Sequence, residues 1–473
     1  MKIGLPEKVS YIISVLLEHG YEAYAVGGCV RDSLIGREVN DWDITTSANP
    51  YEVKALFRRT IDTGIQHGTV TVMLDKEGFE VTTYRIDGEY EDGRHPKEVM
   101  FTSNLEEDLR RRDFTINAMA YNEQVGLVDI FGGVSDLEKG IICCVGVAGE
   151  RFDEDALRIL RAFRFSAQLG FTIEEQTLLS AKERAENLKK ISAERIRTEL
   201  TKLLVSKHPN RLVQASNIGI TNVVLPEFDA MLATTQNNKN HQYNVGEHAL
   251  HTIEFVADVE RQVEYIKRVL PQFEAETVVL KKEWSKKELQ ILKYAALLHD
   301  VAKPEVRVVQ ETGEERFPKH AMYGAKRARE ILQRLKFDNE TIEYVVRLVS
   351  AHDEYAYEKT LVGMRKLMYQ LGPELIELLL ELQMADVLSQ HTNSLQMKLE
   401  ALRMARNLHR EVLERGDCVS LKELHINGRD LIEIGIAQGK QIGYVLNELL
   451  LQVLEHPEYN QKELLLNLAK QMA

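Results

Sequence analysis

Asp41 and Asp43, in the segment NDWDITTSA, are the residues whose types and spacing point most directly to chemistry. Side chains two apart in an extended segment share a face, so the two carboxylates can hold a pair of divalent cations between them. Glu80, in the strand-like FEVTTYR, is a candidate third ligand. Hard carboxylate oxygens suit Mg2+. Two such ions about 3.5 to 4 Å apart serve nucleotidyl transfer, in which a hydroxyl must become more nucleophilic while the triphosphate charge is neutralised. Upstream, GGCVRD (Gly27 to Asp32) follows a strand-like run and opens a helical one. There Gly27 and Gly28 let the backbone approach a phosphate closely. Taken singly, Asp-x-Asp is also a common surface turn, and Gly-Gly a common loop.

The elements that must carry these residues are legible in outline. Up to about residue 140, YEAYAVGG, WDITTSA, TVTVML and FEVTTYRI are β-branched or alternating runs separated by Gly, Asp and Asn, which predicts a head of mixed strands and helices. Helical periodicity follows, from Asp153 to Ala185 and again from Ala193 to Val205. A polar, Asn-rich stretch between about 225 and 245 reads as a boundary. The expected organisation is α+β: a head over 1–140, a helical neck over 141–225, a helical body over 240–395 and a helical tail over 396–473.

With 60 Lys and Arg against 73 Asp and Glu, the net charge of −13 argues against indiscriminate nucleic-acid binding. Any RNA site must be a local basic surface, for which Arg110 to Arg112, Lys189, Lys190, Arg195 and Arg197 are candidates. The four Cys (Cys29, Cys143, Cys144, Cys418) lack zinc-ligand spacing and read as buried thiols of a reducing compartment. The first residues have no continuous apolar core or cleavage site, and no run reaches the roughly 18 apolar residues of a membrane span. A cytoplasmic, membrane-free protein is expected.

Five segments in one order resemble the class II tRNA nucleotidyltransferases, that is, CCA-adding enzymes and the related bacterial poly(A) polymerases. They are GGCVRD, DWD, RRDFTINAMAY (Arg111 to Tyr121), ERFDEDALRILRAFRFSAQLGF (Glu150 to Phe171) and AERIRTEL (Ala193 to Leu200). The resemblance covers about the first 200 residues. It implies a polymerase-beta-like head with Mg2+ on Asp41 and Asp43, and CTP, ATP and tRNA as partners. It places Gly27, Gly28, Arg31, Arg111 and Asn117 by the triphosphate or sugar and Arg161 close to the nucleotide. Arg112 and Asp113 are expected to pair structurally.

The family's base-selecting EDxxR reads here Glu154-Asp155-Ala156-Leu157-Arg158. Three residues apart on a helix, Asp155 and Arg158 can project from one face. C and A each offer an amino donor beside a ring-nitrogen acceptor, which a carboxylate and a guanidinium complement. G and U present the opposite pattern, and mispaired buried groups reject them. An (i, i+3) surface ion pair is the plain alternative. The loop TYRIDGEYEDGRHPKEVMF, with Asp92 and Arg94, resembles the one that lets the family's enzymes switch from C to A.

The body carries EHALHT (His248, His251), LLHDVAKP (His299, Asp300), KHAMYG (His320), AHDE (His352) and QMADVLSQH (Asp386). This spread resembles the HD phosphohydrolases. It implies one metal on His248, His299, Asp300 and Asp386 and a second on His320 and His352. Imidazole with carboxylate suits Mn, Ni, Fe or Zn. The implied activity is hydrolysis of phosphate esters, such as 2′,3′-cyclic phosphates on damaged tRNA ends. The reading of the whole is CCA addition to tRNA. An A-only enzyme, either an A-adding tRNA nucleotidyltransferase or a poly(A) polymerase, and a phosphohydrolase with an RNA-binding head stand as alternatives.

Overall fold

The β-branched runs of the head form nine strands in a computed structural model that describes residues 2–87, 99–237, 243–353 and 359–472. They are Ala23–Val26 (β1), Ile44–Thr46 (β2), Thr60–Gly64 (β3), Thr69–Leu74 (β4), Glu77–Thr83 (β5), Arg85–Asp87 (β6), Val99–Phe101 (β7), Met119–Asn122 (β8) and Gly126–Asp129 (β9). Seven of them make one sheet in the order β3-β4-β5-β2-β1-β8-β9. β2 and β5 run parallel, with Ile44 opposite Val81, and the other neighbours are antiparallel, so the sheet is mixed. β6 and β7 form a separate ladder.

The central strands β1, β2 and β8 are buried along their whole length. They therefore read as continuous apolar or Thr-rich runs rather than alternations. The helix Glu7–Glu18 closes one face by burying Val9, Ile12, Ile13 and Leu16, a stripe at helical spacing. Asn49 caps the helix Pro50–Leu56 in a reciprocal box with Glu52, which fixes where the chain turns after β2. Tyr24, Val26, Tyr84, Leu109, Ala118 and Ala120 make a core beneath the strand ends that carry the polar residues.

The helical text after residue 148 is more broken than its periodicity predicts. One helix, Ala148–Glu154, stops at Asp155, whose backbone is extended (φ −144°, ψ 100°), and the next spans Leu157–Leu169. Gly170 ends that helix in the left-handed region (φ 75°). Thr172–Ile173 then pairs in parallel with Ile141–Ile142. The β-branched pair after a glycine favours this short strand over a continuous helix.

The chain divides into two compact units, Met1–Pro226 and Glu227–Ala473. The second is helical apart from a short hairpin, Val308–Val309 with Glu315–Arg316. Its central helix, Ile376–Ser389, is buried at every position but Glu377. A helix apolar on all sides in this way belongs inside a bundle, and Asp386 and Glu381 on it need internal partners. Among the described residues no helix is long and apolar enough to cross a membrane.

Candidate functional site

In the first unit a cleft of about 630 Å³ is lined by Gly27, Gly28, Arg31, Asp41, Asp43, Arg111, Asn117, Asp155, Arg158 and Arg161. These are ten of the eleven residues the sequence nominates across the head and neck. The eleventh, Glu80, sits beside them: Ile44 pairs with Val81, so Asp43 and Glu80 are lateral neighbours across the parallel β2–β5 ladder. Burial, the Asp41 charge and the Glu80 charge raise the Asp43 carboxyl above its ordinary value, while Arg112 opposes them. A crowd of carboxylates that disfavours its own ionisation is a site for cations.

Gly27 has φ 83°, and a Cβ there would lie 3.0 Å from Arg112 Nη1. Only glycine serves at that turn. Arg31 donates to Asn117 Oδ1 at 2.6 Å and to Asp32 at 2.8 and 3.0 Å. Asn117 in turn donates to Asp113 Oδ1 at 3.0 Å.

The structure corrects the pairing expected of Arg112 with Asp113. Asp113 is buried and takes Arg161 at 2.6 and 2.7 Å, whereas Arg112 reaches Asp108 at 3.4 Å. Adjacent residues at this point of the chain face different sides. Asp108 is a polar hub that the sequence gave no reason to single out. It is wholly buried and also accepts from Arg111 at 2.7 and 3.0 Å and from Thr45 at 3.1 Å. Three guanidinium groups, those of Arg31, Arg161 and Arg164, lie over Phe165 at 3.9 to 5.5 Å, and Arg164 and Phe165 both line the cleft.

Asp155 and Arg158 do not share the face of one helix, since the helix breaks between them. The break turns Asp155 so that it accepts from Arg195 at 2.7 Å and from the Leu157 amide at 3.0 Å. Arg158 donates to Glu154 at 2.5 Å and to the carbonyls of Arg111 at 2.8 Å and Arg151 at 3.1 Å. Both residues nevertheless line the cleft that holds Asp41 and Asp43. Of the expected base-switching loop, Arg85–Asp87 and Val99–Phe101 pair as β6 and β7, while Asp92 and Arg94 lie outside the described residues.

In the second unit the six expected ligands converge from five helices and the turns at their ends. His248 Nε2 lies 2.9 Å from Asp386 Oδ1 and 3.2 Å from His299 Nε2. His299 Nε2 is 3.1 Å from Asp300 Oδ2, and His320 and His352 bring their Nε2 atoms within 3.2 Å of each other. Asp300 Oδ1 is 3.4 Å from His320 and 3.7 Å from His352, so this carboxylate faces both histidine pairs. His251, on the same helix as His248, is excluded: it stacks on Tyr243 and pairs with Glu254.

The Nδ1 atoms of His299, His320 and His352 face the carbonyls of Ala296, Phe317 and Val349 at 2.7 to 3.0 Å. A carbonyl accepts only, so each Nδ1 carries a proton and each Nε2 is left facing inward, with its lone pair open to a metal once any proton shared with Asp300 is displaced. Asp300 Oδ1 is buried without a hydrogen-bond partner among the described residues. Lone pairs and an orphaned carboxylate oxygen aimed at common points fit a metal. Two ligand triads, His248-His299-Asp386 and His299-Asp300-His352, each gather within 4.8 Å. Burial holds His248 below its ordinary value, whereas Asp300 and Asp386 outweigh burial and raise His299.

Three family models match the chain: the poly A polymerase head domain over residues 23–143, the RNA- and SrmB-binding site of polymerase A over 170–232, and tRNA nucleotidyltransferase domain 2 over 320–469. By these three matches the chain is similar to the class II tRNA nucleotidyltransferases. Among its relatives, the CCA-adding enzyme of Lactiplantibacillus plantarum is 54% identical over 198 residues, 42% of this chain and 49% of that one. That of Oceanobacillus iheyensis is 53% identical over 207 residues, 44% and 52% of the two chains. The chain thus spans about half the length of the curated relatives it matches. Over nearly the whole length it resembles the Bacillus stearothermophilus CCA-adding enzyme crystallised with CTP, with a TM-score of 0.66, 28% identity, and coverage of 98% of this chain and 96% of that one. The Thermotoga maritima CCA-adding enzyme in complex with tRNA shares the fold, with a TM-score of 0.57 at 20% identity and full coverage of both chains.

Proposed function

We propose that the first unit adds CMP and AMP to the 3′ end of tRNA to build or repair CCA, without a nucleic-acid template, releasing pyrophosphate. The observation that carries this reading is the convergence of Asp41, Asp43, Asp155 and Arg158 on one cleft. Asp41 and Asp43, with Glu80 beside them, are the residues to hold Mg2+. When bound, Mg2+ makes the attacking 3′-hydroxyl more nucleophilic and neutralises the triphosphate. Arg31, Arg111, Asn117 and Arg161 form the cationic and polar wall for the phosphates and sugar. Asp155 and Arg158 present an acceptor and a donor that match C and A and mismatch G and U.

The decisive experiment offers purified protein three tRNAs, ending before CCA, after C and after CC, with each nucleoside triphosphate in turn. Extension of all three, with C before A, is expected. Extension of the CC-ended tRNA alone, by one A, would make it an A-adding enzyme.

The second unit supports a second activity, hydrolysis of phosphate esters, on the observation that six imidazole and carboxylate ligands meet in one buried cluster. His248, His299, Asp300 and Asp386 are the residues for one metal, and His320 and His352, with Asp300 between, for another. A bound transition metal supplies Lewis acidity and an activated water. Opening of 2′,3′-cyclic phosphate ends by water to a phosphomonoester, lost in His299→Ala but kept in Asp41→Ala/Asp43→Ala, checks it. A cytoplasmic setting, in which CTP, ATP and tRNA meet, completes the reading.

A further inference from the structure

The helix that carries Asp386 ends at Ser389, and the chain then folds back over the metal cluster. Gln390, the capping residue, donates from Nε2 to Asp386 Oδ1 at 2.9 Å, the same oxygen that meets His248 Nε2. The other end of the Gln390 amide, Oε1, accepts from Lys398 Nζ, on the first turns of the helix Leu395–Arg415. Next door, Ser389 Oγ donates to the Asp386 carbonyl at 2.7 Å and lies 3.2 Å from His248 Nδ1.

A side-chain amide presents nearly the same shape in either orientation, and what it bonds decides which end faces where. An ammonium has donors only. Lys398 therefore fixes Gln390 with its oxygen outward and its NH2 toward Asp386. We infer that Lys398 and Gln390 form a positioning relay that holds Asp386 in its metal-binding orientation. The relay engages Asp386 Oδ1, the oxygen that also meets His248 Nε2, and so fixes how that oxygen faces the cluster. Outer groups of this kind orient ligands, and their loss typically costs about 10- to 100-fold in metal affinity. Neither residue is a ligand, and neither touches the metal position itself.

The sign of one effect separates positioning from charge. Lys398 is a cation near a carboxylate that is to bind a cation, so by Coulomb's law alone its removal would tighten metal binding. If Lys398 works by orienting Gln390, its removal loosens binding instead. The inference rests on the metal reading of the His248, His299 and Asp386 triad.

The test titrates the full chain with Ni2+ by calorimetry, in excess Mg2+ so that the head carboxylates are occupied. Gln390→Ala is expected to weaken one Ni2+ equivalent about 10- to 100-fold, Lys398→Met by a smaller factor in the same direction, and Lys398→Arg to keep the wild-type value. Unchanged nucleotide incorporation by the head and an unchanged melting temperature without Ni2+ show that the variants fold. Tighter binding in Lys398→Met, or loss in Lys398→Met without loss in Gln390→Ala, overturns the relay. Wild-type affinity in both variants overturns it too. Wild-type protein that binds no Ni2+ overturns instead the metal reading on which the relay rests.

Discussion

The two polar centres are built on opposite principles. In the head, Asp41 and Asp43 line an open cleft, offer oxygen ligands only, and precede a strand rather than sit in a packed helix. In the second unit, His248, His299, Asp300, His352 and Asp386 are buried, and backbone carbonyls already fix three of the imidazoles. On the proposed reading the cleft admits a triphosphate and a polynucleotide end, so it cannot close around its ions, and the substrate completes their shell. A cluster that keeps its metal can be closed beforehand. Openness suits weakly held Mg2+, and a preformed shell of nitrogen and oxygen suits a tightly held transition metal.

The largest expected effect tests whether the centres are independent. Asp41→Ala with Asp43→Ala should lower nucleotide incorporation by about a thousandfold or more, which corresponds to about 4 kcal/mol of transition-state stabilisation. Ni2+ affinity in the second unit should stay where it is. A parallel fall in both, by incorporation assay and calorimetry, would show that the contrast is false and the units share one site.

A smaller effect concerns the choice of base. Asp155→Asn keeps the shape and replaces one acceptor with a donor, so preference for C and A over U and G should fall by about 10- to 100-fold. Single-turnover incorporation of each triphosphate measures it. Loss of overall rate with preference intact would make Asp155 a brace for Arg195 and remove it from base selection.

Proton competition sharpens the contrast from the other side. Asp300 and Asp386 outweigh burial to hold His299 above its ordinary value, so near neutrality the metal must displace a proton from it. Ni2+ affinity should rise up to about tenfold per pH unit between about pH 6 and the His299 value, then level off. Calorimetry across that range reads it. A flat profile would mean that His299 is already neutral and the cluster is held by other groups.

What the sequence showed of these centres, and what it hid, follows the same division. The strands of the head were legible because β-branched runs alternate with Gly and Asn, and Asp41 and Asp43 stood out because two acids beside Gly27-Gly28 are chemically unusual together. The six body residues that converge were recoverable from their order. The break at Asp155 was hidden, because it falls within the helical periodicity that runs from Asp153 and the extended backbone is held by Arg195, forty residues away. Asp108 was hidden among the charges of NLEEDLRRRD, where nothing local tells a buried acid from a solvated one. Ser389, Gln390 and Lys398 look like an ordinary polar connection until the fold returns them to Asp386. Outer-shell partners are tertiary facts.

The smallest effect asks whether the open cleft also holds its own unit together. Asp113 is buried and takes the two-pronged guanidinium of Arg161, while Asn117 and the Phe114 amide donate to its other oxygen. Burial alone would raise this carboxyl, but Arg161 and Asn117 outweigh burial and hold it well below the usual carboxylate range. A depressed folded-state value stabilises the fold above the unfolded value and is lost as pH falls through the folded one. Asp113→Asn should therefore destabilise the first unit at neutral pH by about 2 kcal/mol, a figure reduced because the Arg161 side chain is one-third exposed (34%). The difference from wild type should shrink progressively below about pH 4, where Asp113 of the unfolded chain takes up a proton while the folded one still resists it. Urea unfolding at several pH values measures both. A difference that stays constant into acid would assign the loss to packing, leaving Arg161 free to serve the nucleotide without also bracing the fold.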